Sequence, residues 1–237
     1  MITAILSQFA YIFINKFLYR HFDIEEQVSC KYATAVTNAS FLGIPIILAL
    51  YGSTGAVYAS IFVIPQRIFM WAYGLPLYSA HSENIIKKIL THPCIVSIFA
   101  SIVIMILYSH DIYLPQPIIN TITSISSCTT SLSLIVIGSI LSDVPVKEMI
   151  NKKSIIYSII RLIIIPVVMI IIMNIFQINS LCRDVCIILS AMPAATTTVI
   201  LAQKYNRSPK FAAKLLVTST LFSLVTIPFI TFMLEIF

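Results

Sequence analysis

Runs of about twenty apolar residues recur along this chain, each parted from the next by a short polar connection. A helix that crosses a bilayer needs about 20 mainly apolar residues. Runs of that kind lie at 2–20, 32–50, 55–78, 93–109, 118–141, 154–176, 184–203 and 211–235. The sequence therefore predicts an all-α membrane protein with about eight transmembrane helices. Composition agrees, with 10% charged residues and a mean hydropathy of +0.98, where soluble domains carry roughly 25% charged residues. The first run has no basic segment ahead of it, so it reads as a spanning helix rather than a cleaved signal peptide. No connection is long enough to link separate domains, and no low-complexity tract interrupts the pattern.

The basic residues test that layout. If the runs alternate in direction, one side receives Lys16, Arg20, Lys31, Lys87, Lys88, Lys147, Lys152, Lys153, Lys204, Arg207, Lys210 and Lys214, which is 12 of the 15. The other side receives Arg183 alone, while Arg67 and Arg161 fall inside runs. The positive-inside rule then makes the basic side cytoplasmic and puts both termini outside. A net charge of +6 spread in this way is not a basic face on a soluble domain, so a nucleic-acid partner is not expected.

Few chemical groups lie within the runs. None of the nine acidic residues sits near the middle of a run, so no carboxylate for ion coupling is visible. All four histidines lie in or beside connections, and no HExxH or GxSxG motif occurs. The five cysteines are irregularly spaced; Cys182 and Cys186 share a helix face without a third ligand, and read as packing residues. No enzyme, no metal and no cofactor is expected. Arg67 falls near the centre of its run, either attracting an anionic substrate, holding a helix break, snorkelling or bonding backbone carbonyls. Arg161 lies about a third of the way into its run, where snorkelling to the interface is the expectation.

Two runs carry residues that weaken a helix. The stretch T-N-A-S-F-L-G-I-P places Asn38, Ser40, Gly43 and Pro45 inside the second run. Proline removes a backbone donor and glycine loosens the turn. Irregular backbone at membrane depth is tolerated where protein buries it or a cavity lies beside it. The stretch S-A-M-P-A-A-T-T-T does the same in the seventh run, with Pro193, Ala194, Thr196 and Thr197. Each break is followed by an LA-led helix end, a tyrosine, a polar turn and a helix ending in I-P. The second and seventh runs point in opposite directions, so the units are inverted. Interrupted helices in inverted repeats point to a midplane binding site in transporters, where half-helix N-termini attract an anionic group. Asn38, Ser40, Gly43, Pro45, Pro193, Ala194, Thr196 and Thr197, with Arg67 as a weaker member, are the expected substrate-binding residues.

The sequence resembles the auxin efflux carrier family. The resemblance rests on N-x-x-F-L-G-I-P (Asn38 to Pro45), ALYG (Ala49 to Gly52), SLSLIVIGSIL (Ser131 to Leu141), R-L-I-I-I-P (Arg161 to Pro166), A-M-P-A (Ala191 to Ala194) and TSTLFSLVTIP (Thr218 to Pro228). It implies two inverted five-helix repeats with two broken crossover helices at the substrate site. Against that pattern the chain is an incomplete version, matching from the family's third helix onward. Mapped onto the chain, 1–78 and 154–237 become a crossover-bearing transport domain. Residues 92–142 become the remaining scaffold helices, and 79–91 and 143–153 cytoplasmic loops. The implied function is a secondary active or facilitative carrier of small organic anions, malate-like dicarboxylates or auxin-like weak acids, by an elevator-type mechanism in the plasma membrane. The alternative is a truncated, non-transporting remnant or a subunit of a larger carrier assembly. Expected partners are the organic anion, the lipid bilayer and, as an open option, a second copy in a homodimer.

Overall fold

The computed structural model describes residues 1–79, 93–142 and 150–236. Helices dominate, in the order α1 (Ile2–Leu18), α2 (Ile24–Ala35), α3 (Ile44–Ala72), α4 (Gly74–Tyr78), α5 (Pro93–Ser109) and α6 (Gln116–Ser142), then α7 (Lys152–Ile159), α8 (Ile165–Ile175), α9 (Ser180–Ser190), α10 (Thr196–Lys204) and α11 (Pro209–Ile236). Two single π-helical turns, Ala39–Gly43 and Ile160–Ile164, lead into α3 and α8. Among the described residues there is no strand, and one isolated β-bridge joins Thr37 to Ala194. Most of the expected connections at 79–91 and 143–153 lies outside the described residues.

The chain is an all-α membrane protein. Among the described residues, three helical stretches are long and apolar enough to cross a bilayer: Ala39–Tyr78, which turns at Gly52, Lys152–Ile175 and Pro209–Leu234. Ile2–Leu18 and Phe99–Ser109 are shorter apolar helices. The second of the long stretches begins with a complete capping box. The Asn151 side chain accepts from the Ser154 backbone N–H, and the Ser154 hydroxyl accepts from the Asn151 N–H.

Local geometry departs from expectation in three places. The YGST connection expected between the second and third runs is a one-residue turn: two helical halves of α3 meet at Gly52 (φ 65°, ψ −160°) and fold back on each other, which sets Gln66 against Thr37. That left-handed value is cheap only for glycine. Gly43, expected to loosen its turn, has ordinary helical dihedrals. Its lack of a side chain serves packing instead, since a Cβ there would lie 2.6 Å from Leu189 Cδ2 and 3.2 Å from Met192 Cγ. Pro45 sits in the first turn of α3 and is exposed. There its missing N–H starts a helix rather than interrupting one.

Arg161 is a correction of a different kind. It does not snorkel: it is 1% exposed, within the π-turn Ile160–Ile164. Its side chain is long enough to reach the interface, but the neighbouring elements pack over it.

The core has two parts. One gathers Tyr11 of α1, Ile47 and Phe62 of α3, Met169 of α8, Ile187 and Leu189 of α9 and Ile230 of α11. The other gathers Tyr19, Tyr32 of α2, Tyr78 of α4, Tyr157 of α7, Val199 of α10 and Leu215 of α11. The two broken segments pass from one to the other in opposite senses. Val36 lies in the second core and Ala39 in the first, whereas Met192 lies in the first and Ala194 in the second. The breaks therefore cross where the two cores meet.

Candidate functional site

Each break frees backbone groups that a continuous helix would have paired, and a buried unpaired group is costly. Here the breaks satisfy one another. The Asn38 N–H donates to the Pro193 carbonyl at 2.9 Å, next to the antiparallel bridge between Thr37 and Ala194. Ala194 N–H donates to Ser219 Oγ on α11 at 3.2 Å. Gln66 of α3 holds the first break from the side, with its Nε2 donating to the Thr37 carbonyl at 2.7 Å. The Thr37 hydroxyl donates to Gln66 Oε1 at 3.3 Å. Past the break, the Asn38 carbonyl accepts from both Leu42 and Gly43 N–H (3.1 and 3.2 Å), which is what winds the chain into a π-turn.

A second set of bonds ties α2, α4, α7 and α10 together. Tyr32 OH donates to Thr197 Oγ1 at 3.0 Å, and Tyr78 OH donates to the Thr198 carbonyl at 3.3 Å. Tyr157 OH donates to the Ala33 carbonyl at 2.9 Å. These hydroxyls sit on otherwise apolar rings, so each tyrosine both fills the second core and satisfies backbone or threonine oxygen beside the crossing.

Beside the crossing lies a cavity of about 330 Å³. Its polar wall is Thr37, Asn38, Ser40, Gln66, Arg67, Thr196 and Thr197, with Ser97 and Ser101 across from them on α5. Phe41, Met70 and Trp71 supply apolar surface. Arg67 Nη2 donates to Ser40 Oγ at 3.4 Å, and Arg67 forms no ion pair among the described residues. It also lines a neighbouring cavity of about 310 Å³ with Ser60, Ser101 and Met105. The Asn38 and Thr196 side chains are half-buried and make no hydrogen bond with described residues. Among the described residues no carboxylate lines the larger cavity, and Thr196 and Thr197 of the first turn of α10 form part of its wall. The described part of the wall carries one cation, Arg67, beside the unbonded Asn38 amide and Thr196 hydroxyl.

Of the residues expected at the site, Asn38, Ser40, Arg67, Thr196 and Thr197 line this cavity, whereas Gly43, Pro45, Pro193 and Ala194 do not. Pro193 and Ala194 are buried in the crossing itself, and Gly43 is packed against α9. Sequence reasoning passed over Thr37, Gln66, Trp71, Ser97 and Ser101. Gln66 had a signal, being an amide beside the intramembrane Arg67; the two serines of α5 had none.

A family model described as "Membrane transport protein" matches residues 1–85 and 79–231. An uncharacterized transporter of Methanocaldococcus jannaschii is 26% identical over 194 residues, which is 80% of this chain and 63% of the relative. The chain thus spans just under two thirds of that relative's length.

Proposed function

This chain belongs to the auxin efflux carrier family of membrane transport proteins, a family of transporters rather than enzymes, and from that premise we propose that it carries a small organic anion. The observation that carries this reading is the cavity beside the crossed breaks. It combines the Arg67 guanidinium, which forms no ion pair among the described residues, the free Asn38 amide and Thr196 hydroxyl, and a helix N-terminus, with no carboxylate among the described residues of its wall. Such a wall favours a carboxylate substrate and repels a cation. Its volume suits a malate-like dicarboxylate or an auxin-like weak acid, for which Trp71 and Phe41 offer flat apolar contact. Asn38, Ser40, Thr196, Thr197 and Arg67 contact the substrate; Gly43, Pro45, Pro193 and Ala194 shape the crossing that presents them.

In this reading 1–78 and 154–237 form a transport domain that slides against the scaffold helices of 92–142. The cavity supports the division, since the crossing lines one side and Ser97 and Ser101 of α5 the other. Movement between them would open the site to each side in turn, within an inverted-repeat arrangement of about eight spans. The chain would lie in the plasma membrane with both termini outside, and a homodimer is compatible with this.

Uptake of labelled dicarboxylates and indole-type acids into proteoliposomes tests the proposal. A hydrogen bond to a charged group contributes about 1.5–3 kcal/mol, and 1.4 kcal/mol is tenfold. Asn38→Ala and Arg67→Gln should therefore each lower uptake by roughly ten- to a hundredfold. Equal flux in variants and parent would remove both residues from the site. The rival reading, a non-transporting subunit of a larger assembly, is favoured by the exposed apolar residues Val96, Phe99, Val103 and Met105 of α5 and Ile118, Ile122 and Ile125 of α6. It predicts no uptake by the pure chain of any probe.

A further inference from the structure

Arg161 is the largest of the fully buried side chains among the described residues. It sits within the membrane-crossing stretch Lys152–Ile175, and it takes no part in the wall of the transport cavity. A guanidinium stays protonated in proteins, so burial cannot neutralise it. Its Nε and Nη1 have no hydrogen-bond partner. The ion pairs among the described residues are Lys153 with Asp23 and Glu26, Arg183 with Asp184, and Arg207 with Glu25; none involves Arg161.

One compensating contact is visible. The guanidinium carbon lies 5.0 Å from the centroid of the Tyr11 ring, a cation–π arrangement. It places no acceptor on the two free nitrogens. Tyr11 in turn has a buried hydroxyl with no partner. One turn earlier on the same buried face of α1, Gln8 has a side-chain oxygen with none. A buried cation with two unused donors, beside the unused Tyr11 hydroxyl, is an unfinished arrangement, and a compact anion would meet both its charge and its hydrogen bonding.

We propose that Arg161 and Tyr11 form a buried binding site for a small monovalent inorganic anion of chloride size. Arg161 Nε and Nη1 donate to it and Tyr11 OH donates from the side. The Gln8 amide, whose oxygen and nitrogen can exchange by a flip, supplies a further donor. The neighbouring Leu162 and Tyr157 are fully buried, so an occupant bulkier than a single small ion, such as an organic acid, would have to displace packed side chains. The ion neutralises the guanidinium and stabilises the folded chain. This site does not rest on the transport reading, because it is measured without a transported substrate.

The test is a thermal melt of the detergent-purified chain in which chloride replaces gluconate at constant ionic strength. A ligand of the folded state raises the melting temperature as its concentration exceeds its Kd. The expected result is a saturable rise with chloride, reproduced by bromide and absent with gluconate. Arg161→Gln should abolish it, while Arg20→Gln, at an exposed arginine, should keep it. If Arg161→Gln does not fold, Tyr11→Phe retains the charge and should move the half-saturating chloride concentration up by about tenfold, one hydrogen bond's worth. A melt that is the same in chloride and gluconate overturns the proposal. So does an undiminished chloride effect in folded Arg161→Gln, or an unmoved midpoint in Tyr11→Phe.

Discussion

Replacing Gln66 with leucine tests whether the crossed breaks are held from α3. Gln66 is 5% exposed, and leucine fills similar space without a donor or acceptor. The substitution removes the 2.7 Å bond to the Thr37 carbonyl and the acceptor of the Thr37 hydroxyl. The hydroxyl has a second, longer acceptor in the Leu189 carbonyl at 3.5 Å, so the main loss is at the carbonyl. A buried acceptor left unpaired costs about 1–3 kcal/mol. For a chain of this size each kcal/mol is worth about 2–4 °C, so the melting temperature should fall by roughly 2–12 °C. The protein carries its own reporters, since Cys30 and Cys186 are buried and reach a thiol-reactive dye on unfolding, while the exposed Cys128 sets the baseline. Combining Gln66→Leu with Thr37→Val should give less than the sum of the two effects, because one bond is shared. A fall under about 1 °C, or strict additivity, refutes the clamp.

Gly43→Ala pushes a Cβ to within 2.6 Å of Leu189 Cδ2, and such overpacking costs about 1–3 kcal/mol; an unchanged melt would show that α9 yields freely. Gly52→Ala keeps its space but strains a φ of 65°, and should destabilise by about 1 kcal/mol in the same melt. Tyr32→Phe removes the bond to Thr197 Oγ1, so it should lower stability by about 0.5–1.5 kcal/mol and weaken substrate affinity in the uptake assay. Lys153 bonds Asp23 at 2.8 Å and also Glu26. The Lys153 hydrogen bond, then Glu26, holds the Asp23 carboxyl below its ordinary value. A lowered carboxyl stabilises the fold above its unfolded value and loses that contribution as pH falls through the folded one. The melting-temperature gap between parent and Asp23→Asn should therefore be small at neutral pH and close on acidification.

Both breaks were legible because proline, glycine and small polar residues write their effect into the local backbone. Pro193 with its threonines and Asn38 with Ser40 marked them without any tertiary information. What glycine and proline did there was less legible: Gly43 answers a side chain on α9, and Pro45 begins a helix. The partners of the site are set by contacts far apart in sequence. Gln66 reaches back 29 residues to Thr37, and Tyr32 reaches forward 165 to Thr197. Periodicity carries no trace of such pairs. Arg161 shows the same limit, since its depth along a helix was readable and its burial by neighbouring helices was not.

The bond from Asn38 to Pro193 also sets a schedule for synthesis. Its acceptor is made 155 residues after its donor, and at about 5–20 residues per second that interval is roughly 8–30 s. Through it, the first break has no Pro193 carbonyl to bond, and a bilayer interior offers no water in its place. The nascent first break must therefore wait in a hydrated setting, at the insertion machinery or the membrane surface, until the second arrives. Residues that slow or speed translation between the two breaks act on folding yield without touching the finished protein.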